Sequence, residues 1–119
     1  FVQRLVPGRF EWATHVLMHR GEARFCQTIE YDMGAERLVK GKSHVPVASR
    51  WLAETPAQAK LLQMLQLLGL RDGVCCIDYR MVDGKPLVFE INPRFGGSLA
   101  TRVAGFLDAY LACIANQTA

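Results

Sequence analysis

Two runs rich in β-branched and aromatic side chains lie in the first third of the chain, at residues 10–19 and 22–31. This composition favours strands. The segment His19-Arg20-Gly21-Glu22 between the runs predicts a hairpin turn. A shorter strand is predicted at residues 2–6, closed by the turn dipeptide Pro7-Gly8.

Helical spacing of leucines follows a strong start signal in the middle of the chain. Thr55 can cap a helix whose first position is Pro56, and Gln58 completes a capping box. The apolar stripe of this helix is Leu61, Leu62, Leu65 and Leu68. Gly69 predicts its C-terminal end. A final helix is capped by Ser98, and its apolar stripe comprises Leu99, Val103, Phe106, Leu107, Tyr110, Leu111 and Ile114.

The remaining segments complete an α+β pattern. Residues 32–50 are irregular and predict a long loop with one short strand near residues 45–48. Residues 73–82 and 86–92 predict a second hairpin. The order β-β-β-loop-α-β-β-α indicates a single α+β domain over the whole chain, residues 1–119, with a mostly antiparallel sheet and helices packed on one face.

The second hairpin carries the most informative polar residues. If its loop has an odd number of residues, Asp78 lies opposite Glu90. One face is then apolar, with Ile77, Tyr79, Met81, Leu87, Phe89 and Ile91. The other face carries Asp78, Arg80, Glu90 and Asn92. A two-residue loop would place Asp78 beside Phe89 and mix the faces, so the apolar pattern selects the odd register.

A polar sheet face with two carboxylates suggests a cation site. Asp78 and Glu90 would repel each other unless a cation lies between them. Mg²⁺ is suited to a site with oxygen ligands, few of them from protein. Asn92 adds a carbonyl oxygen, and Arg94 could contact an anion held on the same metal. The alternative is a solvated polar face of a half-exposed sheet, and spacing alone leaves both open.

Composition limits the class of protein. Half of the residues are hydrophobic and 21% are charged, which is typical of a globular chain. The net charge is +3 with scattered basic residues, so no nucleic-acid footprint is indicated. No signal peptide and no apolar stretch approaching a membrane span are expected. Four cysteines without zinc spacing predict reduced thiols in a cytoplasmic protein.

The stretch Glu90-Ile91-Asn92-Pro93-Arg94-Phe95-Gly96-Gly97-Ser98, with the hairpin before it, resembles the metal-binding segment of the ATP-grasp superfamily. Within it, the chain is most similar to the carbamoyl phosphate synthetase large-subunit-like branch. The likeness covers nearly the whole chain but only the C-terminal half of an ATP-grasp domain. Residues 2–6 resemble the hinge strand that holds adenine. In the next strand, Glu11 occupies the position of a ribose-contacting glutamate.

The resemblance implies an ATP site on the sheet. Two Mg²⁺ ions, or Mn²⁺, would bridge the phosphates through Asp78, Glu90 and Asn92. Arg94 would stabilise the transferred phosphoryl group or an acyl phosphate. The other nucleotide contacts would come from Gln3, Arg4, Leu5, Val6, Glu11, Lys42 and His44.

The activity implied by the resemblance is that of a ligase. Such enzymes activate a carboxylate with ATP, and an amine-type nucleophile then attacks the acyl phosphate. The partners would be ATP, a small carboxylate and an amine-type substrate, with no nucleic acid and no membrane, in an enzyme that is a homodimer in many relatives. The upstream half of the domain, which carries the phosphate-gripping lysines, is not in this sequence. The chain alone is therefore expected to be incomplete and inactive.

Two residues depart from the pattern of the superfamily, and they bear on which of its branches the chain resembles. Gln3 stands where the hinge usually carries glutamate, and Asp78 stands where carbamoyl phosphate synthetase more often has glutamine. An acidic residue is usual at the latter position in other branches, including amino-acid ligases. The alternatives that remain are a non-catalytic nucleotide-binding module and a biotin-carboxylase or carbamoyl-phosphate type of enzyme. The Gly96-Gly97-Ser98 turn either binds an anion or is a simple helix cap.

Overall fold

A computed structural model describes residues 2–41 and 44–117. Five antiparallel strands form one sheet in the order β3-β2-β1-β4-β5. The strands are β1 (Phe10–His19), β2 (Glu22–Asp32), β3 (Ala48–Leu52), β4 (Gly73–Val82) and β5 (Lys85–Asn92). The helices are α1 (Gln58–Leu67), a 3-10 helix (Gly97–Arg102) and α2 (Val103–Ala115). The predicted α+β class with an antiparallel sheet is confirmed.

The two helices cover opposite faces of the sheet. Leu61 and Leu65 of α1 pack in a cluster with Val16. Phe106 of α2 packs in a separate cluster with Leu17. Because consecutive residues of a strand point to opposite faces, α1 and α2 lie on different sides. The prediction that the helices pack on one face is therefore wrong. Both faces of β1 carry apolar side chains, and each face must be buried from water by another packed element.

Both hairpins close through two-residue turns. The φ angles of the central residues are positive in each turn: Arg20 55°, Gly21 83°, Asp83 49° and Gly84 72°. Two positive φ angles are typical of the type I′ turn that matches the twist of antiparallel strands. The first turn lies where the sequence predicts it. The odd-length loop predicted for the second hairpin is wrong.

A β-bulge nevertheless produces the predicted pairing in the second hairpin. Tyr79 pairs with Val88, whereas the preceding residue, Asp78, pairs with Glu90. Phe89 is the extra residue of the bulge. A bulge shifts the register by one position, as an odd-length loop would have done. The predicted juxtaposition of Asp78 and Glu90 is thus confirmed, although the sequence argument attributed it to the turn.

The bulge changes which side chains of β5 reach the core. Val88 and Ile91 pack against the α1 side of the sheet. Leu87 is 44% exposed. Phe89 lines a cleft on the opposite face. The prediction that Leu87 and Phe89 belong to the apolar face is wrong, because it assumed unbroken alternation along β5.

Two other segments differ from the predictions. Residues 2–8 form no strand within the described part of the chain, so the predicted strand at residues 2–6 is wrong. This segment is held instead by individual hydrogen bonds, among them one from the Gly8 amide to the Glu36 carbonyl at 3.1 Å. The short strand expected near residues 45–48 lies at β3, further along the chain.

The ends of α1 follow the sequence signals in part. Thr55 Oγ1 accepts a hydrogen bond from the Ala57 amide at 3.1 Å, and no reciprocal capping box with Gln58 forms. At the other end, Gly69 has a φ of 80°. The Gly69 amide donates to the Gln66 carbonyl, and the next amide donates to Leu65, which is the Schellman pattern.

The apolar stripe predicted for the final helix is mostly exposed. Phe106 and Cys113 are the buried residues of α2. Predicted stripe residues that are 37–59% exposed are Val103, Leu107, Tyr110, Leu111 and Ile114. Ser98 does not cap the helix, since Gly96 occupies the position before the 3-10 helix and no side-chain cap hydrogen bond forms.

One helical segment of the described chain, Gly97–Ala115, is 19 residues long with a mean hydropathy of 1.3. It meets the length and composition of a membrane span, which corrects the expectation from sequence. The segment carries Arg102 and Asp108, and Leu99, Phe106 and Cys113 pack against the sheet. These contacts place the segment against one face of the sheet.

Substitution of Leu61 by alanine is expected to lower the free energy of unfolding by about 3 kcal/mol. Leu61 is 1% exposed at the centre of the α1 cluster, and its truncation leaves a cavity. The matched control is Leu67→Ala in the same helix, since Leu67 is 82% exposed. Urea unfolding of both variants checks the prediction, and equal losses would contradict the assignment of the buried face.

Candidate functional site

A cleft of about 660 Å³ opens on the face of the sheet opposite α1. Its walls come from the N-terminal segment, the loop after β2, and strands β1, β4 and β5. Nine of the site residues predicted from sequence line it: Gln3, Arg4, Leu5, Val6, Glu11, Asp78, Glu90, Asn92 and Arg94. His44 is exposed and does not line the cleft. Lys42 lies outside the described residues.

The carboxylates of the second hairpin lie on the floor and rim of the cleft. Asp78 of β4 is mostly buried, and its strand partner Glu90 is exposed. Burial raises the pKa of Asp78, and the negative charge of Glu90 adds to the rise, while Lys40 opposes it. Asp78 Oδ1 is buried without a hydrogen-bond partner in the described part of the chain. The oxygen lies 3.6 Å from the Lys40 ammonium, so it already faces a positive charge, and a carboxylate oxygen in such a place is suited to a cation ligand.

The ligand set fits Mg²⁺ or Mn²⁺. Asp78, Glu90 and Asn92 all line the cleft and offer oxygen atoms. No group of three or more His, Cys, Asp or Glu residues that could hold a metal occurs among residues 2–41 and 44–117. Mg²⁺ is typically held by one or two carboxylates, with phosphates and water as the other ligands. The residues present therefore suit a metal whose remaining ligands are water or phosphate oxygens.

Lys40 is the cation nearest to Asp78. Its Nζ lies 3.6 Å from Asp78 Oδ1 and 4.2 Å from the centroid of the Tyr31 ring. Burial opposes the positive charge, but Tyr31, Asp78 and Glu11 outweigh it and raise the pKa of Lys40. Lys40 therefore brings a fixed positive charge to the cleft. The sequence signal for it was the small charge cluster of the loop after β2, which also contains Lys42 and His44.

A buried ion pair forms the inner wall of the cleft. Glu11 of β1 is 3% exposed and Arg80 of β4 is 1% exposed. Arg80 Nη2 lies 3.4 Å from Glu11 Oε2. The Arg80 guanidinium also lies 5.8 Å from the Phe89 ring centroid. The sequence placed Arg80 on the polar face, but only the structure shows that it is fully enclosed.

Arg94 lies on the rim and is exposed. Its backbone amide donates to the Asn92 carbonyl at 2.8 Å, and its Nη1 donates to the Phe95 carbonyl at 3.2 Å. The tight turn carries the guanidinium back towards the cleft that Asn92 and Glu90 line. Arg94 is therefore free to contact an anion beside the carboxylates.

The turn after Arg94 is fixed against the sheet by a buried histidine. His15 of β1 is fully buried, and its Nε2 lies 2.9 Å from Ser98 Oγ. Its other nitrogen, Nδ1, is buried without a partner among the described residues. A Cβ at Gly96 would lie 2.7 Å from His15 Nδ1 and 2.9 Å from Cys76 Sγ. The turn therefore packs directly on the histidine ring.

Acid is expected to destabilise the fold through His15. Burial lowers the pKa of His15 to about 4, and the charge of Lys40 adds to this effect. The unfolded chain takes up the proton near pH 6.5, so stability is complete above that pH and is lost as the pH falls towards 4. The loss between pH 7 and pH 5 is about 2 kcal/mol.

Urea unfolding at pH 7 and pH 5 measures this loss. The His15→Asn variant should lack this component of the pH dependence. His44→Asn, which changes an exposed histidine, should retain it. An identical pH dependence of stability in wild type and His15→Asn would show that His15 is not the buried titrating group.

The fold of the chain is similar to part of known ligase structures. No protein-family profile matches the chain, and no curated protein matches it in sequence. An L-amino acid ligase from Bacillus licheniformis is similar in structure, with a TM-score of 0.56 and 23% identity over 80% of this chain. A phosphoribosylglycinamide synthetase from Anaerococcus prevotii has a TM-score of 0.53 and 14% identity over 81% of this chain. The chain therefore shares its α+β fold with part of each of these two proteins.

The chain covers a minor part of each of these proteins. It spans 24% of the L-amino acid ligase and 23% of the synthetase. A D-alanine–D-alanine ligase from Bacillus anthracis is also similar, at a TM-score of 0.48 and 19% identity over 89% of this chain. The identities are low throughout, so the fold is what these comparisons establish. The resemblance to the carbamoyl phosphate synthetase-like branch stays a prediction.

Proposed function

We propose that this chain is the Mg-ATP-binding lobe of an ATP-grasp ligase that joins a carboxylate to an amine-type nucleophile. The observation that carries the proposal is the convergence of predicted residues in one cleft. The N-terminal segment, Glu11, the Asp78–Glu90 pair and Arg94 come from distant parts of the sequence and line the same cavity. A solvated polar face would not require a mostly buried carboxylate paired with a lysine inside a cleft.

In the proposed reaction, a carboxylate oxygen attacks the γ-phosphorus of ATP and the bond to the β-phosphate oxygen breaks, which releases ADP. The amine nitrogen then attacks the carbonyl carbon of the acyl phosphate. A C–N bond forms, phosphate leaves, and the nitrogen loses a proton. Phosphoryl transfer depends mostly on positioning and charge neutralisation. Magnesium bound by Asp78, Glu90 and Asn92 would neutralise the phosphate charge.

The other residues of the cleft have roles that follow from their positions. The backbone of residues 4–6 would contact the adenine, and the Glu11 carboxylate would contact the ribose. Lys40 is placed to contact the phosphates, since it already lies beside Asp78. Arg94 on the rim would stabilise the transferred phosphoryl group or the acyl phosphate. Lys42 and His44 are proposed on the phosphate side only from the resemblance.

The acidic residue at position 78 indicates which branch of the ligases the chain resembles. Asp78 favours an amino-acid-ligase type over carbamoyl phosphate synthesis in the strict sense. The partners would be ATP, a small carboxylate and an amine-type substrate, in a cytoplasmic enzyme. Because the chain spans about a quarter of the ligases it matches, substrate selection and turnover are assigned to the larger protein, and nucleotide binding to this lobe.

Isothermal titration of the chain with ATP, with and without Mg²⁺, tests the proposal. We expect a saturable heat with Mg²⁺ that disappears in EDTA, because the carboxylates repel the phosphates when no cation is present. Titrations with adenosine alone and with Mg²⁺ alone show whether the nucleotide end or the metal end of the cleft contributes to the binding. Absence of saturable binding under both conditions would overturn the proposed function, and equal binding with EDTA would overturn the metal site.

A further inference from the structure

Arg80 makes four hydrogen bonds at the inner wall of the cleft. Its side chain is 1% exposed, so a full positive charge is enclosed in the protein. Nη1 donates to the Val6 carbonyl at 2.7 Å and to the Glu36 carbonyl at 3.3 Å. Nη2 donates to the Leu38 carbonyl and, at 3.4 Å, to Glu11 Oε2. Three of these four acceptors are backbone carbonyls.

The carbonyls belong to two segments that have no regular secondary structure. Val6 lies in residues 2–8, and the other two lie in residues 33–41. One hydrogen bond joins the segments directly, from the Gly8 amide to the Glu36 carbonyl. A planar guanidinium presents five donors in a fixed fork, so one arginine can hold several carbonyls at set angles. Arg80 therefore ties both segments to the sheet at once. Each segment has a further tie: Gln3 Nε2 donates to the Phe89 carbonyl at 3.3 Å, and the Lys40 amide donates to Glu11 Oε2 at 3.5 Å.

The geometry points to a positioning role rather than to contact with a ligand. Each terminal nitrogen of Arg80 has two N–H groups and makes two hydrogen bonds. The remaining donor, Nε, is buried with no hydrogen-bond partner among the described residues. No terminal N–H group is left for a phosphate. The segments that it holds, however, supply Val6 and Lys40 to the cleft.

We infer that Arg80 is the positioning residue that sets the nucleotide end of the cleft. It fixes the backbone beside Val6 and the loop that carries Lys40 relative to Glu11. The inference rests on the proposed function for the identity of the ligand. The metal end is held differently, because the backbone of Asp78 is fixed by its pairing with Glu90 on β5. Loss of the guanidinium should therefore affect nucleotide binding much more than metal binding.

Arg80→Lys tests this split. A lysine keeps the charge opposite Glu11 but has no fork of donors, so it cannot hold carbonyls of both segments at once. We expect affinity for Mg-ATP to fall at least about tenfold. Affinity for Mn²⁺ alone, followed by electron paramagnetic resonance, should change by less than about twofold. The matched control is Arg24→Lys, which changes an exposed arginine paired with Glu22 and should leave both affinities unchanged.

Two results would overturn the inference. One is wild-type affinity for Mg-ATP in Arg80→Lys. The other is an equal loss of Mg-ATP and Mn²⁺ affinity together with a lower unfolding midpoint, since this would make Arg80 a general structural residue.

Hydrogen exchange gives a second readout that needs no nucleotide. In Arg80→Lys, amide exchange in residues 2–8 and 33–41, above all at Gly8, should accelerate at least about tenfold. Exchange in the β1–β2 hairpin should be unchanged. Unchanged exchange in both segments would overturn the positioning role. If wild-type protein fails to bind Mg-ATP, the proposed function fails, and this exchange result still decides whether Arg80 positions the two segments.

Discussion

Glu90→Gln is expected to weaken Mg²⁺-dependent ATP binding by on the order of 100-fold, which corresponds to about 2.7 kcal/mol. Glutamine keeps the size of the side chain and removes the negative charge. Glu90 pairs with Asp78 across the hairpin and is exposed at the rim of the cleft. The loss of charge should therefore act on the cation with little effect on folding. Isothermal titration with Mg-ATP measures the loss, and thermal unfolding confirms that the variant is folded.

The control for this prediction is Glu54→Gln. Glu54 is an exposed carboxylate that does not line the cleft, and its replacement changes net charge by the same amount. Wild-type affinity is expected for this variant. If both glutamine variants lose affinity equally, the effect is one of overall charge and Glu90 is not a metal ligand. Wild-type affinity in Glu90→Gln would contradict the metal site directly.

Gly96→Ala is expected to lower the free energy of unfolding by about 3 kcal/mol, at the upper end of overpacking effects. The added Cβ would lie 2.4 Å from His15 Cε1, 2.7 Å from His15 Nδ1 and 2.9 Å from Cys76 Sγ. His15 and Cys76 are both buried, so neither side chain can move away without opening the core. Gly96 has a φ of −82°, so the cost comes from lack of space and not from backbone strain.

Gly97→Ala provides the matched control for this substitution. The neighbouring glycine has no atom within 4 Å of an added Cβ, and its variant should keep wild-type stability within about 0.5 kcal/mol. Urea unfolding of both variants checks the pair. Similar stability of Gly96→Ala and wild type would show that the turn after Arg94 does not pack on His15 as described. The position of Arg94 at the rim would then lose its structural basis.

Local signals were enough to predict most of the strands and the helices. Alternating composition and the Arg20-Gly21 and Asp83-Gly84 turns define the hairpins, because these signals depend on neighbouring residues. The pairing of Asp78 with Glu90 also followed from the sequence, since only that pairing groups the polar side chains. The bulge at Phe89 did not follow. It preserves the pairing while moving Phe89 to the cleft, and no pattern in the sequence marks it.

Long-range contacts account for what the sequence could not show. The acceptors of Arg80 on Val6 and Leu38 are 74 and 42 positions away in the chain. They are backbone carbonyls, which have no residue-specific signature in a sequence. The final helix illustrates the same limit: its periodicity predicts a broad apolar stripe, and only packing determines that Phe106 and Cys113 face the sheet.

The position of a metal and a triphosphate in crystals of the chain would show whether Asp78, Glu90 and Asn92 form the proposed metal site. Crystals grown with Mn²⁺ and a non-hydrolysable ATP analogue allow the metal to be located by its anomalous scattering. We expect metal about 2.0–2.3 Å from oxygens of Asp78, Glu90 and Asn92, with the triphosphate in the same cleft. Metal at another place on the protein, with these oxygens facing only water, would contradict the proposed metal site.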